Sequence, residues 1–508
     1  MQPAATTLHP PFSVVPRARF WTPSLTDFFF FATIFWLFLA EPGGWERLLW
    51  DGDTALHTRT GDWILDHGAV PVVDPFSYTQ PGERWFAFQW LTGVLFAWLN
   101  RMAGLKGIVL VCGAAIALTM TILVRDMVRR GASGLIAIVL ALVATNAMSI
   151  HFHARPHLFT LLFLAIGHYL IARDLERPSW QVWLIVPLVL CWVNMHSGFP
   201  VMIATLGLLT AGRGLSALCG EARWKDVIRY GILTALTALA TLGNPNGIAL
   251  HQHISKFLSN SWILQYVDEY KSPVFRSEPM YYFMAILFLG LMAARTQIEK
   301  RNWHTVLWLL FFGAGSLVSA RHVPIFMVVA LPAVALELTG LLRQWAEQAG
   351  RKSTAEVLVE IGEKTTQKLQ PVSAWSPALL CLAAVFSTTW PSDLSAKYFP
   401  TTLVRKNAGL LADSRVFTTD QWGDYLLWVN YPRQKVFMDG RSDFFQQKTG
   451  GEYLKISNGQ DGWRESLERF GVNAVLAPPD LPVARNLAKD PAWREVDHSK
   501  MAVLLVRR

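Results

Sequence analysis

Charge is what this chain has least of: aspartate, glutamate, lysine and arginine make up only 16% of its 508 residues, against 52% hydrophobic residues. Such a composition cannot fold around one water-soluble core, which excludes an ordinary soluble enzyme and indicates a polytopic α-helical membrane protein. Cysteine is nearly missing as well. Cys112, Cys191, Cys219 and Cys381 fall in apolar stretches or beside basic loops, so no disulfide framework is expected in any exported part, and packing is their expected role. The N-terminal MQPAATTLHPPFSVVPRARFW has no small-residue cleavage site after it, so Thr26 to Ala40 reads as a retained first span. No internal repeat is apparent. Acids number 37 against 46 bases, and the basic excess sits in loops between apolar runs without a nucleic-acid footprint.

What is present is a series of apolar runs, near residues 26–42, 105–124, 133–150, 157–172, 180–194, 199–217, 230–243, 280–295, 303–320, 323–342 and 373–390. Trp85 to Met102 is equally apolar, and counting it as a twelfth span would invert everything after it. Basic residues decide. Without it, one side carries Arg17 and Arg19, Arg125, Arg129 and Arg130, Arg173 and Arg177, Arg213 to Arg229, Arg295 to Arg301, and Arg343 to Lys352. By the positive-inside rule about eleven spans and a cytoplasmic N-terminus are expected, with Trp85 to Met102 lying in the interface. Residues 1–25 are then a cytoplasmic segment, 26–390 a membrane domain with a long first outer loop at 43–104, and 391–508 an extracytoplasmic domain. The stretch 346–370 reads as a charged, helix-prone linker.

With this topology the polar clusters fall on one face: Asp51, Asp53 and His57; His151, His153, Arg155 and His157; Asn194 and His196; Asn244, Asn246, His251 and His253 with Asp268, Glu269 and Lys271; and Arg321 and His322. Apart from Arg155, Lys271 and Arg321, which are among the few bases left on that side, none of them entered the orientation argument, so their convergence supports an extracytoplasmic site. A helix starting at Asp53 places His57 one turn on, and an ionised carboxylate there can take a proton from an acceptor or, with Asp51, hold a divalent ion. Helix capping is an equal reading, since Asp53-Thr54 is good cap chemistry. His151, His153 and His157 could bind zinc in an extended segment, but no acid or cysteine adjoins them. Phosphate binding by His153, Arg155 and His157, repeated at Arg321-His322, is the simpler account, with snorkelling of both arginines to lipid headgroups as its rival. Asn194, His196, Glu269 and Lys271 are candidate substrate contacts, although Asn194-Met195-His196 also ends a span as a C-cap would.

After Trp390 the texture changes. Short strands are expected at Val416-Phe417, Lys435 to Met438, Ala474 to Leu476 and Met501 to Val506, and a helix at Trp463 to Phe470, giving a small α/β domain. Asp420, Trp422, Gly423, Asp439, Gly440, Arg441 and Asp443 suit either saccharide contacts or ordinary turns.

Together these features resemble the GT-C superfamily of membrane glycosyltransferases: one N-terminal span, an acidic motif entering a long loop, an interfacial helix and a soluble C-terminal domain. The nearest local similarity is DTALHTRTGDWILDHGAVP, Asp53 to Pro71, which looks like the aminoarabinose transferase and protein O-mannosyltransferase branch, where an aspartate opens a helix closed by a glycine (Gly68) before a proline (Pro71). VPVVDPFSYT, ARPHLFTLLF, WVNMHSGF, GNPNG and FMDGRSDFF are similar to phrases in a bacterial group of GT-C-like proteins. The resemblance implies transfer of a sugar from a polyprenyl-phosphate carrier to an acceptor lipid, glycan or protein at the outer face of the bacterial inner membrane, with inversion. It implies Asp53 as base, with Arg155, His157, Arg321 and His322 serving the departing phosphate. The second acid that many GT-C enzymes carry in the loop after span three is missing, so no cofactor is called for and a divalent cation is the disfavoured alternative. A transporter of an anionic or lipid-linked substrate and a non-catalytic GT-C-like scaffold are the rival functions.

Overall fold

The computed structural model describes residues 24–38, 44–369 and 390–508. The apolar run at 373–390 and Cys381 lie essentially outside them. Helices form at the described apolar runs and also between them: α1 Leu25–Phe38, α2 Asp53–His67, α3 Trp90–Ala103, α4 Leu105–Arg129, α5 Gly134–Met148, α6 His157–Glu176, α7 Ile185–Met195, α8 Pro200–Leu218 and α9 Trp224–Ala240. They continue with α10 Ile248–Leu258, α11 Ser261–Tyr266, α12 Glu278–Glu299, α13 Trp303–Val318, α14 Val323–Ala349 and α15 Thr354–Leu369. Among the described residues six helical stretches are long and apolar enough to cross a membrane, those containing α4, α5, α6, α8, α12 and α14. Three shorter apolar helices, Leu25–Phe38, Trp180–Met195 and Trp303–Val318, accompany them.

The Trp85 to Met102 run begins as irregular chain and becomes helical only at α3, whose 14 residues rise about 21 Å, less than a hydrocarbon core. It lies across α2, and glycine makes the crossing possible. A β-carbon on Gly61 would stand 1.9 Å from the carbonyl oxygen of Gly93. Residues 346–370 are more than a linker. Helix α15 packs on α5 and α14, its Gly362 closing on Ser133 and its Thr366 hydroxyl accepting the Gly134 N–H at 2.8 Å.

The C-terminal residues build a four-stranded sheet, β1 Val416–Thr418, β2 Ala474–Ala477, β3 Trp493–His498 and β4 Val503–Arg507, in the order β1-β2-β4-β3. Strands β1 and β2 are parallel, the other pairs antiparallel. Lys435 to Met438, expected as a strand of this sheet, is an extended tether instead. Val436 N–H donates to Phe76 O and receives Tyr78 N–H on its own carbonyl, at 3.1 and 3.0 Å. The Tyr78 hydroxyl on Val416 O (3.0 Å) and Thr79 on Phe437 O (2.7 Å) extend this seam between the first loop and the C-terminal sheet.

Arg441 locks the seam. Its guanidinium is buried with Asp74 (2.8 Å) and Asp439 (2.6 Å) and lies 4.5 Å from the Trp85 ring and 4.9 Å from Phe444. Removing one partner of a buried ion pair costs more than the pair contributes, because the charges left behind have no water. Arg441→Met, which fills the aromatic cage but leaves Asp74 and Asp439 unpaired, is therefore expected to lower unfolding free energy by about 3 kcal/mol. The measurement is a urea titration, and adding Asp439→Asn to Arg441→Met should recover part of the loss.

Candidate active site

The local chemistry at Asp51-Gly52-Asp53 separates the two acids. The N-cap of α2 is Gly52, and the Oδ1 of Asp51, one residue before it, accepts the Asp53 N–H at 2.9 Å, so Asp51 serves the first N–H of the helix and the Asp53 side chain is free of the helix end. The helix closes at Gly68 in the left-handed conformation, φ +66°, which glycine adopts without a β-carbon clash. Gly52 is fixed from the other side: its N–H donates to Gln421 Oε1 at 2.6 Å, and a β-carbon there would meet Asp424 Oδ2 at 2.7 Å.

Arg155 reaches this corner from the segment between α5 and α6. That segment is pinned to α2 by the Thr54 hydroxyl on Ala154 O (2.8 Å) and to the 3-10 turn Gly44–Leu49 before it by Ala154 N–H on Leu48 O (2.7 Å). One guanidinium serves three carboxylates, Asp51 at 2.9 Å, Asp53 at 2.6 Å and Glu269 in a short contact. The sequence reading gave Arg155 to phosphate. In the fold it faces acids 104 and 114 residues away in the chain, which no local pattern announces. Burial pushes the Asp53 carboxyl up to about 7; Arg155 opposes that shift, Asp51 and Glu269 reinforce it, and Arg321 opposes it. Burial likewise pushes His57 down to about 3, with Arg155 acting in the same direction. For Glu269 burial favours the neutral acid, but Arg155 and Arg321 outweigh it and hold the carboxyl well below its usual range.

Arg321 is less engaged with acid than Arg155. Its closest carboxylate, Glu269, is at 3.5 Å, and it donates to the Tyr270 hydroxyl at 2.7 Å. Beside it stands His196, whose tautomer the network assigns. Nδ1 accepts the Gly198 N–H at 3.0 Å and lies 2.7 Å from the Thr160 hydroxyl, which itself accepts from Trp192 Nε1 at 2.9 Å. The ring proton therefore sits on Nε2, 3.4 Å from the Arg321 guanidinium, and two donors face the same space.

Two cavities meet here. One, of about 110 Å³, is lined by Asp53, His57, Arg155, Arg321 and the Gly440–Asp443 turn. The other, of about 160 Å³, is mostly apolar, with Val201, Ile254, Phe257, Leu258 and Ile325 beside His196 and Arg321. They share Phe88, Ser197, Phe257, Tyr270, Arg321 and Asp443. Asp443 is held by His253 at 3.0 Å.

The remaining sequence candidates divide. His153 lies 3.8 Å from Asp51, at the edge of the acid cluster. His157 and His322 line the apolar cavity, His157 bonded to His151 O and His322 to Gly315 O at 3.2 Å. Asn194 is committed elsewhere: it accepts from Trp90 Nε1 and donates to Leu190 O and Gly243 O, all at 2.9 Å, fastening α3 to α7. Lys271 is exposed and pairs with Asp268 at 2.6 Å, outside both cavities. Among the described residues no three His, Cys, Asp or Glu form a group suited to a metal ion.

Sequence reasoning missed Asp424. It is fully buried on the Asp420–Asn430 helix, accepts the Gly440 N–H at 2.9 Å on Oδ1, and has no hydrogen-bond partner for Oδ2 among the described residues. A β-carbon on Gly440 would stand 2.6 Å from Asp53 Oδ1 and 2.9 Å from Asp424 Oδ2, so the two acids converge on that glycine. Burial, with Asp53 and Asp439 nearby, pushes the Asp424 carboxyl well up. The available signal was the pair of glycines, Gly52 and Gly440, each beside an acid: close backbone approach is what a glycine in such a turn permits.

Comparison of the sequence with protein-family models and with curated proteins gives no match. The fold does match solved structures. The apo oligosaccharyltransferase of Archaeoglobus fulgidus aligns over 91% of this chain and 70% of its own, at 12% identity and a TM-score of 0.58. AglB from Archaeoglobus fulgidus, in complex with an inhibitory peptide and a dolichol-phosphate, aligns over 89% and 69%, at 11% identity and 0.56. ArnT from Cupriavidus metallidurans, bound to undecaprenyl phosphate, aligns over 95% and 96% at 13% identity, with a TM-score of 0.43. At such identities the likeness is one of architecture: this chain shares the fold of the two oligosaccharyltransferase structures.

Proposed function

We propose that this chain is a glycosyltransferase that moves a sugar from a polyprenyl-phosphate donor to an acceptor at the outer face of the bacterial cytoplasmic membrane. In this reading its N-terminus is cytoplasmic and residues 391–508 are extracytoplasmic. One observation carries the reading: a polar chamber holding Asp53 and an apolar chamber share Arg321 at their junction. A lipid-linked sugar has the same order of parts, with a charged phosphate between an apolar chain and a polar sugar. The dolichol-phosphate bound to a protein of the same fold is in keeping with it.

In the reaction the acceptor heteroatom gives its proton to the Asp53 carboxylate as it bonds to the anomeric carbon, and the bond from that carbon to the phosphate oxygen breaks. The sugar carbon inverts. Charge gathers on the leaving phosphate, where the Arg321 guanidinium and the His196 Nε2–H are already oriented and need no rearrangement. Arg155 keeps Asp51 and Glu269 compensated, so that Asp53 can lose its proton near neutral pH.

Incubating membranes that contain the protein with a panel of polyprenyl-phosphate sugars, and following carrier release, tests the reading. Release with at least one donor supports it, and release with none across the panel overturns it. Arg321→Gln is expected to lower turnover about 10²-fold, as loss of an oriented charge at a leaving group does. Single-turnover rates at saturating donor measure it.

A further inference from the structure

A third cavity, of about 350 Å³, lies at the other end of the helices. His157, at the start of α6, lines the apolar chamber of the site, whereas Ala172 and Glu176, in its last turns, line this cavity. Twenty residues of helix separate the two ends by about 30 Å. No residue of the proposed reaction reaches it except through that length of bundle.

Its polar lining is Arg130, Arg213, His168, His304, Gln297, Asn302 and Thr305, with Glu176 as the one acid. The placement of these groups is determined by packing. Gly212 on α8 allows α13 to come so near that a β-carbon would stand 2.3 Å from the His304 backbone, and the Trp308 ring separates His168 from His304 at 4.9 and 5.1 Å. Each arginine already has an acid for one end of its guanidinium, Asp126 for Arg130 at 2.7 Å and Asp226 for Arg213 at 3.2 Å.

Yet the Nε–H groups of Arg130 and Arg213, the Nε2 of His168 and the Nδ1 of His304 are buried without a hydrogen-bond partner among the described residues. His168 is 2% exposed and His304 8%. Buried donors of this kind cost free energy unless something accepts from them. An arginine Nε–H is always a donor, and each imidazole can present its free nitrogen as one, so the complementary group is an anion rich in acceptor oxygens. The rest of the lining is largely apolar, with Leu175, Val329, Pro332, Ala333 and Leu336.

We infer that this cavity is a second ligand site that binds the phosphate group of an anionic amphiphile, such as a phospholipid of the leaflet opposite the active site. The guanidinium Nε–H groups and the two imidazoles take the phosphate oxygens, and the acyl part lies along Val329, Ala333 and Leu336. Free inorganic phosphate has the same head chemistry without the apolar part, and the test separates the two.

The experiment is native mass spectrometry of the full-length protein in detergent, with dioleoyl phosphatidic acid, dioleoyl phosphatidylcholine or inorganic phosphate added. Wild-type protein is expected to retain phosphatidic acid over phosphatidylcholine by at least tenfold. Arg213→Gln with His304→Gln should lose that preference, while Asp53→Asn should keep it. Ala333→Phe, which narrows the apolar half without touching a cation, should expel the lipid and spare phosphate; if it leaves lipid retention unchanged, the ligand is held by its phosphate alone and the amphiphile assignment is overturned. Equal retention of both lipids, or retention undiminished in both the cation and the Ala333 variants, overturns the site. A thermal melt of each variant without added lipid, with a midpoint close to wild type, certifies that the loss is one of binding. None of these outcomes depends on sugar transfer.

Discussion

Asp53→Asn is expected to abolish sugar transfer, with turnover lowered by about 10³-fold or more, the upper range of what a positioned general base contributes. Carrier binding and membrane insertion should be unchanged. Asparagine keeps the shape and cannot take the acceptor's proton. It also leaves Asp51 and Glu269 on Arg155, so no buried cation is stranded. The wild-type rate should depend on pH in one direction. Only the ionised carboxylate is a base, and burial raises its pKa to about 7. Turnover should therefore rise as pH increases through 7 and level off above it. His57, held neutral with a pKa of about 3, adds no limb between pH 5 and 8. Near wild-type turnover in Asp53→Asn, or a rate indifferent to pH between 5.5 and 8.5, would falsify the assignment of Asp53 as base.

How far the sequence could be read is visible at this site. Hydropathy placed the long helices, because a run of apolar residues has few other solutions in a membrane. The Asp53-to-Gly68 helix was legible from its ends, since a left-handed C-cap asks for glycine. Spacing alone left capping and catalysis in balance across Asp51-Gly52-Asp53, and what it could not show is that Asp51 takes the Asp53 N–H at 2.9 Å, leaving the Asp53 side chain free of the helix end. Arg155 was legible only in part: its charge pointed to phosphate, while its partners Asp51, Asp53 and Glu269 include acids from distant parts of the chain. Asp424 was passed over since one acid in QWGDYLLW reads as the polar face of an amphipathic helix, and only the docking of that helix against Gly52 buries it. Strand β3 escaped notice because Trp493–His498 is an edge strand with only Trp493 buried, which weakens the alternation that reveals a strand.

Arg155→Gln separates two roles that the sequence could not. Were Arg155 a carrier-phosphate ligand, its loss would raise the donor KM and leave the pH profile in place. The contacts with Asp51, Asp53 and Glu269 give a different expectation. Without the guanidinium three carboxylates face one another in a buried corner, and like charges there cannot all ionise. Asp53 should then keep its proton to higher pH, so the rate profile moves up by at least about one pH unit, and turnover at pH 7 falls by about 10³-fold through loss of both charge and orientation. Stability should fall by about 3–5 kcal/mol at pH 8, where the stranded acids are charged. It should recover as pH is lowered and they take up protons, since their pKa values are then raised above those of the unfolded chain and the penalty exists only while they are ionised. Arg155→Lys should restore only part of this, because an ammonium is a point charge and cannot fork onto three acids. Profiles of turnover and melting temperature between pH 5.5 and 9 decide it. A raised KM with an unmoved pH midpoint would return Arg155 to the phosphate and leave Asp53 to be compensated by Arg321 alone.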